Sequence, residues 1–317
     1  MSKGNESDKL GIGDIISVIA LVLLGIVVFF GMNFISLGDK IPSVIVAVLL
    51  TALMIVFVFL AAFAKSQNRN QDKWTIVKYI MLALFLLALI PSYIFSAKFS
   101  EIQFGKDEIV KKVDANVTAI NKMFNNFSEN CEQRANAYEI ELKALYNHEE
   151  GKAKLAEMLG LNSVDDVNET AISQARESFI VGLKKDYQNL ENEKNILVNN
   201  CADNFNNWNI MTVSQYATDL GNIQERFASE LEKIYEDSKS DKEKDIPDFN
   251  ATQFASSDNI ATMFKSMPGF SVGGLLITLL LGFFGLIKFL TAPNPTVQEI
   301  KEGETSVITK SGGLILR

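Results

Sequence analysis

IPSVIVAVLLTALMIVFVFLAAFA, residues 41–64, runs for 24 positions without one charged side chain. A helix needs about 20 predominantly apolar residues to cross the hydrocarbon of a bilayer, so this block alone takes the chain out of the soluble classes. Three further blocks resemble it: residues 15–37 (IISVIALVLLGIVVFFGMNFISL), 79–96 (YIMLALFLLALIPSYIFS) and 270–292 (FSVGGLLITLLLGFFGLIKFLTA), with Lys288 the only charge inside any of the four. The first is too long for a signal-peptide core, lacks an A-x-A-like cleavage site and is followed at once by another span, so it reads as retained. The expected class is all-α: a multi-pass protein of the cell membrane with four spans and one long insertion, residues 98–269, between the third and fourth.

Orientation follows from the short loop AKSQNRNQDKWTIVK, where Lys65, Arg69, Lys73 and Lys78 form a basic cluster that should remain in the cytoplasm. Residues 1–14 and the tail 293–317 are then cytoplasmic, in agreement with Lys3 and Lys9, and Lys288 lies close enough to the inner interface to snorkel there. The insertion falls on the outer side. Residues 99–265 hold 18 of the 30 Lys and Arg but 30 of the 38 Asp and Glu, a net of −12 that leaves the remainder at +4. So acidic a domain argues against nucleic acid as a partner, because phosphate binding needs a basic surface.

Inside the insertion, Ile109, Val113, Val117, Ile120, Phe124, Phe127, Cys131, Ala135, Tyr138, Leu142 and Leu145 step by three or four, the seam of a long amphipathic helix. A second seam runs from Ile172 to Trp208, with Arg176 and Lys194 on it, and a third from Val213 to Ile234. Antiparallel pairing of the first two as an elongated, coiled-coil-like hairpin can set Cys131 opposite Cys201, Phe124 opposite Trp208, Phe127 opposite Phe205 and Leu145 opposite Tyr187. The turn then falls near Asp166, with Gly160 as a helix stop and Asp165 or Asp166 as a cap. This register predicts a Cys131–Cys201 disulfide, provided the Cα atoms come within about 4.4–6.8 Å and NHEEG at 147–151 does not kink the first helix.

Few residues point to chemistry. The one histidine, His148, stands in NHEEG without a second spaced ligand, and there is no G-x-x-x-x-G-K-[ST], no G-x-G-x-x-G after a strand and no C-x-x-C. No catalytic, cofactor-binding or metal site is therefore expected. Small-residue stripes stand out instead: Gly274, Thr278 and Gly282 on the fourth span, and Ser43, Ala47 and Thr51 on the second, let helix backbones approach closely. They suit intrachain packing, the expectation here, and a homo-oligomer equally well. The tail 293–317 reads as disordered, with SVITK-SGG-LILR offering a small hairpin or a strand added to a partner as the alternatives.

These readings converge on a non-enzymatic membrane scaffold or sensor subunit, in contact with membrane lipid and with other membrane or envelope proteins. The alternative is an accessory subunit of a channel or transporter.

Overall fold

Asp39 starts the helix that carries residues 41–64 by accepting the Ile41 amide at 3.0 Å, and Pro42 falls in the first turn, where a missing N–H costs nothing. The computed structural model describes residues 11–67, 71–238, 248–254 and 260–293. Lys3, Lys9, Arg69 and the C-terminal hairpin motif lie outside the described residues. The described residues are helical, without a strand: α1 (Ile12–Ile35), α2 (Lys40–Ser66), α3 (Gln71–Phe104), α4 (Lys106–Tyr146), α5 (Glu149–Leu159), α6 (Glu169–Asn206), α7 (Val213–Ser238), α8 (Ile260–Lys265), α9 (Val272–Gly285) and α10 (Ile287–Thr291), with short 3-10 turns at Val164–Asp166 and Ala251–Phe254. The chain divides into two compact units, residues 1–105 with 264–317, and residues 106–263.

The first unit is a bundle of α1, α2, α3 and the α9–α10 pair. Four of its helices are long and apolar enough to cross a membrane, counting α9 and α10 as one. Leu21, Leu24, Val28, Met54, Val58 and Phe85 form its core, while Ile19, Val48, Leu87 and Leu276 are exposed on its outer surface. Such a surface suits hydrocarbon. A water-soluble protein rarely exposes apolar patches beyond a few hundred Å². Two helices differ from the expected spans. α3 extends on both sides of 79–96, because no glycine interrupts it before Gly105; Pro91 is absorbed within it, and the neighbouring Ser92 donates to Ala88 O at 2.9 Å. The fourth span is broken at Leu286.

In the second unit α4 and α6 run antiparallel, with α7 packed on α6 and α4 and with α5 against α4. The observed register is not the expected one. Tyr138 stacks on Phe179, Glu132 pairs with Lys184 at 2.8 Å, Phe127 stacks on Tyr187, and Lys194 reaches Asn121 at 3.1 Å. Cys131 therefore lies at the level of Lys184, and Cys201 sits about 25 Å further along α6 at 1.5 Å per residue. Both cysteines are free and buried, and the predicted disulfide is absent.

The cause is local. α4 stops at Tyr146, His148 adopts an extended conformation (φ −116°, ψ 135°), and α5 then folds back on α4. Gly151 seats α5 directly on the Leu145 carbonyl, where any Cβ would collide. This extra helix takes up residues that a simple hairpin would have placed in α4, which moves the pairing. Gly160 ends α5 in the left-handed region (φ 65°), as expected. The cap of α6, however, is Asn168, whose Oδ1 accepts the Ala171 amide at 2.9 Å; Asp165 and Asp166 belong to the 3-10 turn before it.

Candidate functional site

Ala217, Gly221, Gln224 and Ala228 step by three or four along one face of α7. Three of the four are small, so α7 leaves a space between itself and α4 that larger side chains would fill. The result is a cavity of about 330 Å³, closed by Asn116 and Met123 of α4, by Ala251 and Thr252 of the 3-10 turn, and by Ile260. That volume lies at the lower end of the range of roughly 300–1,000 Å³ found for small-molecule sites. A Cβ added at Gly221 would meet nothing within 4 Å, so the glycine opens onto free space.

Two hydrogen bonds hold the rim. Gln224 Nε2 donates to Phe254 O at 2.9 Å, and Glu232 Oε1 accepts the Ala251 amide at 3.1 Å, so the turn is tied to α7 at two points. Glu225 and Glu232 both line the cavity, and no Lys or Arg does so among the described residues. The only arginine of α7, Arg226, is held by Glu193 at 2.6 Å and Glu230 at 3.8 Å instead.

Other polar groups of this unit are structural. Arg134 is buried, donates to Ser238 Oγ at 2.9 Å and to Ser238 O, and lies 5.3 Å from the Tyr235 ring; Tyr235 in turn donates to Asp248 Oδ1 at 2.7 Å. Arg176, a charged member of the second seam, is received by Glu132 at 3.1 Å and Glu139 at 3.2 Å on α4. Lys194 is buried over the Phe124 ring, and burial holds its pKa below the ordinary lysine value against the opposing pull of Glu191. Burial likewise pushes each cysteine thiol up to about 11. Thiols so perturbed stay protonated at neutral pH and are poor nucleophiles and poor ligands. Among the described residues no three His, Cys, Asp or Glu side chains gather around a point that would hold a metal ion.

In the membrane unit, Gly274, Thr278 and Gly282 are buried, and a Cβ at Gly274 would strike the α3 backbone at Ala97. Ser43 is buried and donates to Asp39 O at 2.7 Å, Ala47 is buried in the core, and the Thr51 hydroxyl occupies the space beside Gly25. Lys288 does not simply snorkel: it forms an ion pair with Asp14 and lies 5.6 Å from the Phe59 ring. Lys98 was missed by the sequence reading, which put it at the start of the outer domain. It is fully buried, bonded to Glu101 at 3.2 Å and Ser266 at 3.4 Å. The Lys-x-x-Glu spacing at the end of an apolar run was its one available signal. Compared with family models, curated proteins and solved structures, the chain matches none, so its function has to be argued from this geometry.

Proposed function

We propose that the chain is a non-enzymatic, multi-pass subunit of the cell membrane, with both termini in the cytoplasm and residues 98–269 outside it. It presents an antiparallel, coiled-coil-like helical domain to a partner or ligand, as the sensor or scaffold of an envelope complex. One observation carries this reading: beside an apolar bundle of membrane-spanning length, the chain builds a separate helical unit with a ligand-sized cavity. The orientation rests on the short basic loop with Lys65, Arg69, Lys73 and Lys78, and the charge balance, −12 in residues 99–265 against +4 in the remainder, agrees with it.

Thiol accessibility tests it. Cys131 and Cys201 are buried and protonated, so a single exposed cysteine gives the only fast signal. A membrane-impermeant maleimide applied to intact cells is expected to label Ser229→Cys, and to reach Ser66→Cys only after lysis. The reverse order would overturn the topology. Cross-linking followed by gentle solubilisation is expected to recover a constant partner or ligand, and a chain that is always recovered alone and unliganded would remove the scaffold and sensor role.

A further inference from the structure

We propose that the cavity between α4 and α7 binds a linear organic cation, an alkyl chain carrying ammonium groups at its ends. The proposal rests on the sensor reading above and names the ligand class. Glu225 and Glu232 are seven residues apart on α7, which sets them on one face about 10 Å apart along the axis. The wall is mostly apolar, with Leu220, Ala228, Met123 and Ile260, and Gln224, Ser229 and Thr252 add polar edges to it. Two carboxylates flanking an apolar strip complement two cations joined by methylenes. Neither carboxylate forms an ion pair with a cationic side chain of the described residues, and the nearby Arg226 is engaged elsewhere. The two carboxylates attract a cation and repel an anionic ligand, and a neutral ligand gains nothing from them.

The charge-free control is available, because a diol of the same length has the same apolar body. Isothermal titration calorimetry on the full chain in a non-ionic detergent compares α,ω-diaminooctane with octanediol. Saturable binding of the diamine is expected, at least tenfold tighter than the diol and weakened as salt is raised, since salt screens charge pairs at a solvent-open site. Glu225→Gln is expected to weaken the diamine by about tenfold, and so is Glu232→Gln, whose amide oxygen still accepts the Ala251 amide. Gly221→Leu fills the cavity from a position open to it and is expected to abolish binding while circular dichroism and elution volume stay unchanged. Equal binding of diol and diamine, diamine binding indifferent to all three substitutions, or no saturable binding would each overturn the proposal. None of these would change which cysteine a maleimide labels in intact cells, so the topology stands or falls separately.

Discussion

The hydroxyl of Ser17, on α1, accepts the Lys288 amide at 2.7 Å and lies 3.4 Å from the Phe284 carbonyl, to which it donates. Lys288 N and Phe284 O are the i and i−4 partners of one helical rung, so Ser17 has inserted into the ladder of the fourth span. An inserted side chain is a recognised cause of helix breaks, and here it accounts for the interruption at Leu286. One turn earlier on α1, Asp14 takes the Lys288 side chain.

Ser17→Ala should therefore let the rung close and α9 run into α10. A hydrogen bond exchanged for another changes stability by only about 1 kcal/mol, so the melting temperature in detergent should move little. The diagnostic readout is hydrogen exchange at Lys288, which should slow as its amide enters a regular helix. Unchanged exchange would mean that some other contact causes the break.

The ion pair should show coupling. Asp14→Asn leaves Lys288 without its carboxylate, and Lys288→Met leaves the largely buried Asp14 without its cation. Each single change should destabilise by more than the roughly 0–1 kcal/mol typical of a surface pair, and the double substitution by less than the sum. Additive melting shifts would show that the pair contributes nothing.

Glycines at two sites should respond with opposite sign. A Cβ at Gly31 would collide with the Phe95 carbonyl of α3, so Gly31→Ala should force α1 and α3 apart at about 1–3 kcal/mol. At Gly221 the Cβ meets open space, and Gly221→Ala should stabilise α7 by up to about 1 kcal/mol through helix propensity. Thermal unfolding of the two variants side by side checks both signs.

How much of this was legible beforehand follows from the length of each signal. Twenty uncharged positions cannot be satisfied by a short element, so the spans were readable, and a seam stepping by three or four over dozens of residues fixed α4, α6 and α7. Register was another matter. A heptad seam slid by whole turns still presents apolar residues to its partner, so Phe127 could face Phe205 or Tyr187 with equal merit. The choice was made by a short segment, the fold-back of α5 at His148, which no periodicity announces. The cavity left a fainter trace, small residues at 217, 221 and 228 on a seam otherwise filled by Leu220, Phe227 and Leu231. At Leu286 the local trace was Gly285 alone, because the side chain that enters the ladder, Ser17, is remote in sequence.

The buried thiols and the buried lysine should give opposite pH responses. Each cysteine is raised from about 9 to about 11 by burial. The unfolded thiols therefore ionise first as pH rises, and stability present below pH 9 should be lost between about 9 and 11. Lys194 is lowered by burial, so the native state gives up its proton first, and stability should rise with pH on the alkaline side until the unfolded lysine titrates near 10.5. Cys131→Ala with Cys201→Ala should flatten the alkaline loss, whereas Lys194→Met should steepen it. Identical alkaline profiles in all variants would show that these groups are solvated.

The register itself is open to a decisive energetic test. Phe127 stacks on Tyr187 with ring centroids 5.3 Å apart and meets Phe249 edge-on at 5.1 Å. Phe127→Ala should cost about 3–5 kcal/mol, the range for a buried aromatic, while Ile140→Ala, on the exposed side of α4, should cost little. In a double-mutant cycle on the full chain, Phe127 with Tyr187 should couple by about 0.5–1.5 kcal/mol, the worth of an aromatic pair beyond its area. Phe127 with Phe205, partners in the mirrored arrangement that would have joined the cysteines, should be additive. Coupling to Phe205 and not to Tyr187 would restore that arrangement, and non-reducing electrophoresis of the same samples would then have to reveal a Cys131–Cys201 bridge.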